Sequence, residues 1–316
     1  MGEFDLTGLR VWVAGHRGMV GSAIVRRLAT EGCEILTVGR EEVDLRDPEP
    51  LDAWMARRRP DVVFMAAGTV GGIHANDSRP AEFIRDNLAI QSNVIHAAWR
   101  HGVAKMLLLG SSCIYPKLAA QPITEEALLT GPLEPTNQWY AVAKIAGVRM
   151  AQAYRAQYGC DFITAMPTNL YGPGDNFNPD SGHVLPALIR RTHQAKVTGA
   201  AALTVWGSGT PRREFLHVDD LADAAVHLIK VHGTAEPVNI GTGTDLSIRD
   251  LAELVRGTVG FEGELRFDTA KPDGTPRKLL DVGRLTRLGW TARIGLADGV
   301  ARTYRWFLEN QDRLRR

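Results

Sequence analysis

From residue 11 to residue 166 the chain alternates short, almost wholly apolar runs with longer segments of helical periodicity, and few folds accommodate that pattern. Val11-Trp12-Val13-Ala14, Ile35-Leu36-Thr37-Val38, Val62-Val63-Phe64-Met65, Lys105 to Leu109 and Phe162 to Met166 have the length and continuity of buried strands. Between them, Val20 to Thr30, Pro48 to Arg58, Ala81 to Arg100 and Tyr140 to Tyr158 read as helices. A strand with no polar face must be covered on both sides, so the pattern predicts a parallel sheet wrapped by helices, a doubly wound α/β domain. After Tyr171 the texture changes, with Gly172-Pro173-Gly174 and the run Asn176 to Asp180 forming a loop of turn residues. Val184 to Thr192, Leu251 to Val259 and Val300 to Leu308 read as helices and Leu203 to Trp206 as a strand of a smaller α/β unit. The expected division is 1–175 with 211–245 for the sheet domain and 176–210 with 246–316 for the second.

Composition narrows the function classes. Hydrophobic residues make up 44% of the chain and charged residues 23%, a globular balance that excludes wholesale disorder. Lys and Arg total 37 against 36 acidic residues, a net charge of +1, so bulk charge gives no pull toward nucleic acid or a membrane surface. An anionic ligand must therefore be met locally. No run approaches a membrane span, and the N-terminus, with Glu3 and Asp5, lacks a basic and apolar leader, so a cytoplasmic protein is expected. Cys33, Cys113 and Cys160 form no CxxC spacing, which predicts free thiols and neither a disulfide framework nor a metal centre.

Glycine is in excess, 32 of 316 residues, and part of that excess sits where it can do chemistry. Gly15-His16-Arg17-Gly18-Met19-Val20-Gly21 follows the first predicted strand and opens the first helix. In that context Gly15 makes a sharp turn, Gly18 lets a pyrophosphate approach the backbone, and Gly21 allows close helix-to-strand packing. The helix N-terminus offers unpaired N–H groups to phosphate oxygens. Arg40 stands at the end of the second strand, where an acid would hold the ribose 2′-hydroxyl of NAD. A guanidinium there favours the 2′-phosphate of NADP; the competing reading is a surface arginine paired with Glu41 or Glu42. Trp12 reads as core rather than as a cofactor stack.

Tyr140-Ala141-Val142-Ala143-Lys144 places a phenol and an ammonium on one face of a helix. The expectation is that the cation favours phenolate and eases proton transfer at neutral pH. Ser111 lies at the carboxyl end of the fourth strand, where ligands bind in open α/β sheets. Glycine turn, strand-end serine and Y-x-x-x-K, in that order, resemble the extended short-chain dehydrogenase/reductase family.

The resemblance extends over essentially the whole chain, through residues 110–117, 134–137, 166–173, 206–211 and 271–278. It points to the branch of that family that epimerises C3 and C5 of GDP-4-keto-6-deoxy-D-mannose and then reduces C4, giving GDP-L-fucose. It implies a Rossmann-type NADP-binding domain and a GDP-sugar-binding second domain. Ser111, Tyr140 and Lys144 are then the reductase group and Cys113 with His183 the epimerase pair. The ketone at C4 acidifies the protons on C3 and C5, and a thiol and an imidazole are suitable to remove and return them. The resemblance assigns the cofactor to Gly15 through Gly21, Arg40, Asp44, Leu45, Leu109, Gly110, Ser111, Ser112, Tyr140, Lys144, Pro167, Thr168, Asn169, Leu170 and His183. It assigns the substrate to Arg191, Trp206, Arg213, Asp273 and Lys278. It further implies a homodimer through the helices 81–100 and 140–158.

Other readings stay open at this point. Cys113 as a buried apolar thiol, His183 as a helix cap, and the arginines as surface residues are the bland alternatives. A 4,6-dehydratase is disfavoured because Ser112 and Cys113 stand where such enzymes carry acids. A reductase or epimerase of another nucleotide sugar, or a non-catalytic NADP-binding protein, would share most of these motifs.

Overall fold

The computed structural model describes residues 3–179, 181–271 and 273–314. Asp180 and Pro272, which the sequence reading includes in a loop and a motif, lie outside the described residues. Strands run in chain order β1 (Arg10–Ala14), β2 (Glu34–Leu36), β3 (Val62–Met65), β4 (Lys105–Leu109), β5 (Asp161–Pro167), β6 (Asn169–Tyr171), β7 (Ala202–Trp206), β8 (Arg212–Arg213), β9 (Phe215–His217), β10 (Val238–Ile240), β11 (Leu246–Ser247), β12 (Glu264–Asp268) and β13 (Arg277–Lys278). The helices are α1 (Met19–Leu28), α2 (Pro48–Arg58), α3 (Ile73–Ser78), α4 (Pro80–Arg100), α5 (Gln138–Tyr158), α6 (Val184–Val197), α7 (Val218–Val231), α8 (Ile248–Val259), α9 (Gly283–Arg287) and α10 (Leu296–Glu309).

The central sheet has the order β2-β1-β3-β4-β5-β10 and every pairing in it is parallel. Successive side chains of a strand point to opposite faces, and the core divides accordingly. Val11 and Val13 join the layer under α1 and α7, with Ile24, Leu28, Leu221 and Ala225. Trp12 and Ala14 join the layer under α2, α4 and α5, with Leu51, Val94 and Ala151. Trp12 is fully buried and meets Trp54 at a ring-centroid distance of 4.8 Å, so it is core, as expected. The first strand lies second from the sheet edge, between β2 and β3, and the chain order reverses beside it, which puts the glycine turn at the switch-point crevice.

Helix α7 has no counterpart in the sequence reading. Its apolar residues Val218, Leu221, Ala222, Ala225, Leu228 and Ile229 recur at helical spacing and pack on the back of the sheet. Strand β2 stops at Leu36, two residues short of expectation, and α6 continues to Val197, past the expected Thr192.

A separate core gathers Phe177 of the loop before α6 with Leu185, Ile189, Val205, Leu251, Val255, Val300 and Phe307 from α6, β7, α8 and α10. Beside it, β8 lies between β11 and β13 in a small three-stranded sheet. Its pairing with β13 is parallel and sets Arg213 opposite Lys278. Among the described residues no helix is long and apolar enough to cross a membrane.

Candidate active site

The glycine turn has the geometry its residues predict. Gly15 sits at φ +88°, and a Cβ there would come within 2.8 Å of the Ala67 backbone. A Cβ on Gly21 would lie 2.1 Å from the Gly15 carbonyl oxygen, so α1 could not approach β1 with any other residue. A Cβ on Gly18 would touch only that same oxygen, at 3.4 Å, so its outer side is open. No side chain caps α1, whose first-turn N–H groups therefore face that space. The cradle fits a dinucleotide pyrophosphate.

Around this turn the cations are already held by carboxylates. Arg40 donates to Asp44 at 3.2 Å rather than to either neighbouring glutamate, and Glu41 instead accepts from Arg17 at 2.7 Å. Asp44 also takes Arg46, and these arginines hold its carboxyl well below the usual range despite some burial. Leu45 packs against the core layer below α2 and α4.

At the end of β4, Gly110 bonds to Ala165 on β5 and the chain turns sharply. Ser111 caps that turn, its hydroxyl accepting from the Cys113 N–H at 3.2 Å, while Ser112 is buried. Cys113 and Tyr140 share a small cluster with Ala75 and Phe83, and the Tyr140 ring meets Phe83 edge-on. Lys144 is buried one turn further along α5 and donates to the Leu109 carbonyl at 3.0 Å.

The expected phenolate is not what this geometry produces. Burial dominates and raises the Tyr140 phenol far above its ordinary 10.0, the Cys113 charge adds to the rise, and hydrogen bonding to Ser111 opposes it. The ammonium lies 5.8 Å from the Tyr140 ring centroid and is turned to a carbonyl, too remote to offset burial. Desolvation brings Lys144 itself down to about 8. Tyr140 is thus held protonated, as an acid.

The thiol behaves in the opposite way. Burial pushes Cys113 up, but Lys278, Ser111 and Arg213 together bring it below its ordinary 9.0. Lys278 Nζ donates to Cys113 Sγ at 3.4 Å. Cys113 is accordingly no inert apolar thiol. Cys33 and Cys160, by contrast, are raised by burial and pack beside the two core layers.

His183 stands at the N-cap of α6 without capping it. Loss of hydration, with the Lys278 charge second, lowers it from 6.5. The segment before it is docked by two glycines the sequence reading passed over. Gly72 donates to the Ser181 carbonyl at 3.0 Å, and a Cβ on Gly72 would lie 2.6 Å from the Gly182 carbonyl oxygen. One ammonium, Lys278, thereby acts on both members of the expected epimerase pair.

The remaining substrate candidates divide. Arg213 is largely withdrawn from solvent, which lowers it against the pull of Cys113, Glu134 and Asp273. Trp206 is exposed, with Lys271 Nζ 5.5 Å from its ring centroid. Arg191 donates to the Thr204 carbonyl on β7. Asp273 braces the 207–210 turn, accepting from the Ser208 N–H at 2.7 Å and its hydroxyl at 2.8 Å. Pro167 ends β5, and the Thr168, Asn169 and Leu170 segment beyond it lies against Glu214, whose carbonyl accepts from Asn169 Nδ2 at 2.8 Å.

The arrangement is that of a proton-transfer site beside a dinucleotide cradle, and similarity to known proteins agrees. Residues 11–241 match the model of the NAD dependent epimerase/dehydratase family. The chain belongs to that family. It is 58% identical over 302 residues to GDP-L-fucose synthase 1 of Arabidopsis thaliana, covering 95% of this chain and 94% of that one. It is 56% identical over 310 residues to GDP-L-fucose synthase of Sinorhizobium fredii, covering 98% and 99%. A gdp-l-fucose synthetase from Naegleria fowleri, solved bound to NADP, superposes with a TM-score of 0.91 at 30% identity, covering 100% of this chain and 99% of that one.

Beyond what this epimerase/dehydratase fold shares with its relatives, sequence reasoning missed Glu214. Wholly buried, its carboxylate accepts from the N–H groups of Thr242 at 2.6 Å, Gly243 at 2.8 Å and Leu280 at 3.0 Å. It therefore fastens the β10 turn to the strand end that carries Lys278. The visible signal was an acid directly after the paired arginines 212 and 213. Asn137 was quoted within a motif but given no role.

Proposed function

We propose that the protein is an NADPH-dependent epimerase and reductase that converts GDP-4-keto-6-deoxy-D-mannose to GDP-L-fucose. The observation that carries this reading is one site holding two proton-transfer groups of opposite character, a protonated phenol and a cation-stabilised thiol. Relatives over half identical along nearly the whole chain bear the same activity in their names.

The open face of Gly18 and the uncapped start of α1 would hold the pyrophosphate, and Arg40 with Arg17 would meet the 2′-phosphate by exchanging their present carboxylate partners. When bound, NADPH supplies the hydride that C4 receives. The protein's own groups do the rest. Ser111 and Tyr140 hydrogen-bond the C4 oxygen, which draws charge from C3 and C5. One of Cys113 and His183 removes a proton from carbon, leaving an enolate on the sugar, and the other returns a proton to the opposite face. After both carbons have inverted, Tyr140 gives its proton to the C4 oxygen as the alcohol forms. Lys278 keeps the thiol available throughout, and Arg213 is placed to receive a phosphate of GDP.

A second copy would dock on α4 and α5, whose Leu88, Trp139, Val142 and Tyr158 are exposed apolar residues. The reading is tested by NADPH absorbance. It should fall with GDP-4-keto-6-deoxy-mannose and stay level with the UDP and dTDP counterparts; equal turnover of all three would overturn the substrate assignment.

A further inference from the structure

Asn137 occupies the residue before α5, a position where asparagine ordinarily caps the helix. Here it caps nothing. Its Oδ1 is instead buried with no hydrogen-bond partner, an arrangement that weakens the fold unless something else supplies a donor. The amide lines a small cavity of about 30 Å³ together with Ser112, Cys113, Glu134 and Lys278. That space has room for a small polar group such as a hydroxyl.

The cavity's neighbour identifies the group. In the reading proposed above, on which this inference rests, Cys113 acts at a carbon adjoining the C4 ketone. Two such carbons exist, and their substituents differ: C5 carries a methyl group and C3 a hydroxyl. Pro116 and Ile123 also line the space and would tolerate a methyl, but a methyl would leave the Asn137 oxygen buried and unpaired. A hydroxyl can donate to the waiting oxygen.

We propose that Asn137 Oδ1 accepts a hydrogen bond from the C3 hydroxyl of the keto sugar and makes the protein selective for 3-hydroxy over 3-deoxy hexoses. A site built to pair a hydroxyl rejects the analogue that lacks it, because its buried acceptor is then left alone. The contact also orients the ring, setting the C3 edge against the thiol.

The test compares kcat/KM for NADPH oxidation with GDP-4-keto-6-deoxymannose and with its 3-deoxy counterpart. Wild type should prefer the 3-hydroxy sugar at least tenfold. In Asn137→Ala that ratio should fall at least tenfold, while Asn137→Asp, which keeps an acceptor in place, should retain most of it. A ratio unchanged in Asn137→Ala overturns the proposal, since an amide that merely holds a water or steadies α5 would slow both sugars alike. A wild-type protein that binds NADPH but oxidises it with neither sugar removes the underlying reading, and the proposal with it.

Discussion

Lys278→Met keeps most of the side chain's bulk and removes the ammonium that lies 3.4 Å from Cys113 Sγ. Coulomb's law at an effective dielectric of about 20 gives about 5 kcal/mol for charges that close, before the cost of desolvating the ammonium is deducted. The net worth of a hydrogen bond to a charged group, about 1.5–3 kcal/mol, is the better guide. At ~1.4 kcal/mol per factor of ten, this amounts to roughly ten- to a hundredfold less thiolate at neutral pH. Burial alone raises the thiol, and Lys278 is the foremost of the groups that reverse that rise. Its removal therefore moves the titration upward, so the deficit is present at pH 7 and closes as pH increases. The assay is iodoacetamide labelling across pH, read on the Cys113 peptide by mass spectrometry, with Cys33 and Cys160 as internal references. Labelling of Cys113 at pH 7 that matches wild type would refute the argument that Lys278 sustains the thiolate.

Tyr140→Phe should abolish NADPH oxidation while solvent deuterium still enters the keto sugar, though more slowly, because proton exchange at C3 and C5 uses Cys113 and His183 and Ser111 still hydrogen-bonds the C4 oxygen. Loss of both reactions would show that the two proton-transfer sets are not separable. Glu214→Gln turns one acceptor into an amide N–H group facing a backbone N–H, at a cost of about 1–3 kcal/mol. Calorimetry should show Tm lowered by about 2–4 °C for each kcal/mol, and an unchanged Tm would contradict the hub role.

The central sheet was legible because burial on both faces forces continuous apolar runs, so β1, β3, β4 and β5 could be read within a residue or two. Helix α7 was equally periodic, yet it follows two short strands, β8 and β9, in a turn-rich stretch whose pairings depend on distant segments. The site divides along the same line. Gly15, Gly21, Ser111 and Lys144 act through neighbours close in sequence or through one strand end, and motif spacing finds them. The protonation of Tyr140 was misjudged because spacing along α5 locates Lys144 but not its turn toward the Leu109 carbonyl. Glu214 and Asn137 were invisible for a related reason: their significance lies in which N–H groups, or none, reach their oxygens in three dimensions.

Cys113 and Lys278 stand 165 residues apart in the chain, the first in the turn after β4 and the second on β13, and meet only through their side chains. The first half of the protein therefore carries the proton-transfer thiol and the last fifth carries the cation that lowers it. A nascent chain, or one whose C-terminal segment has peeled away, holds Cys113 without the ammonium that lowers it. The lowered titration of this cysteine is therefore a property of the completed fold and is absent until the strand that carries Lys278 is in place.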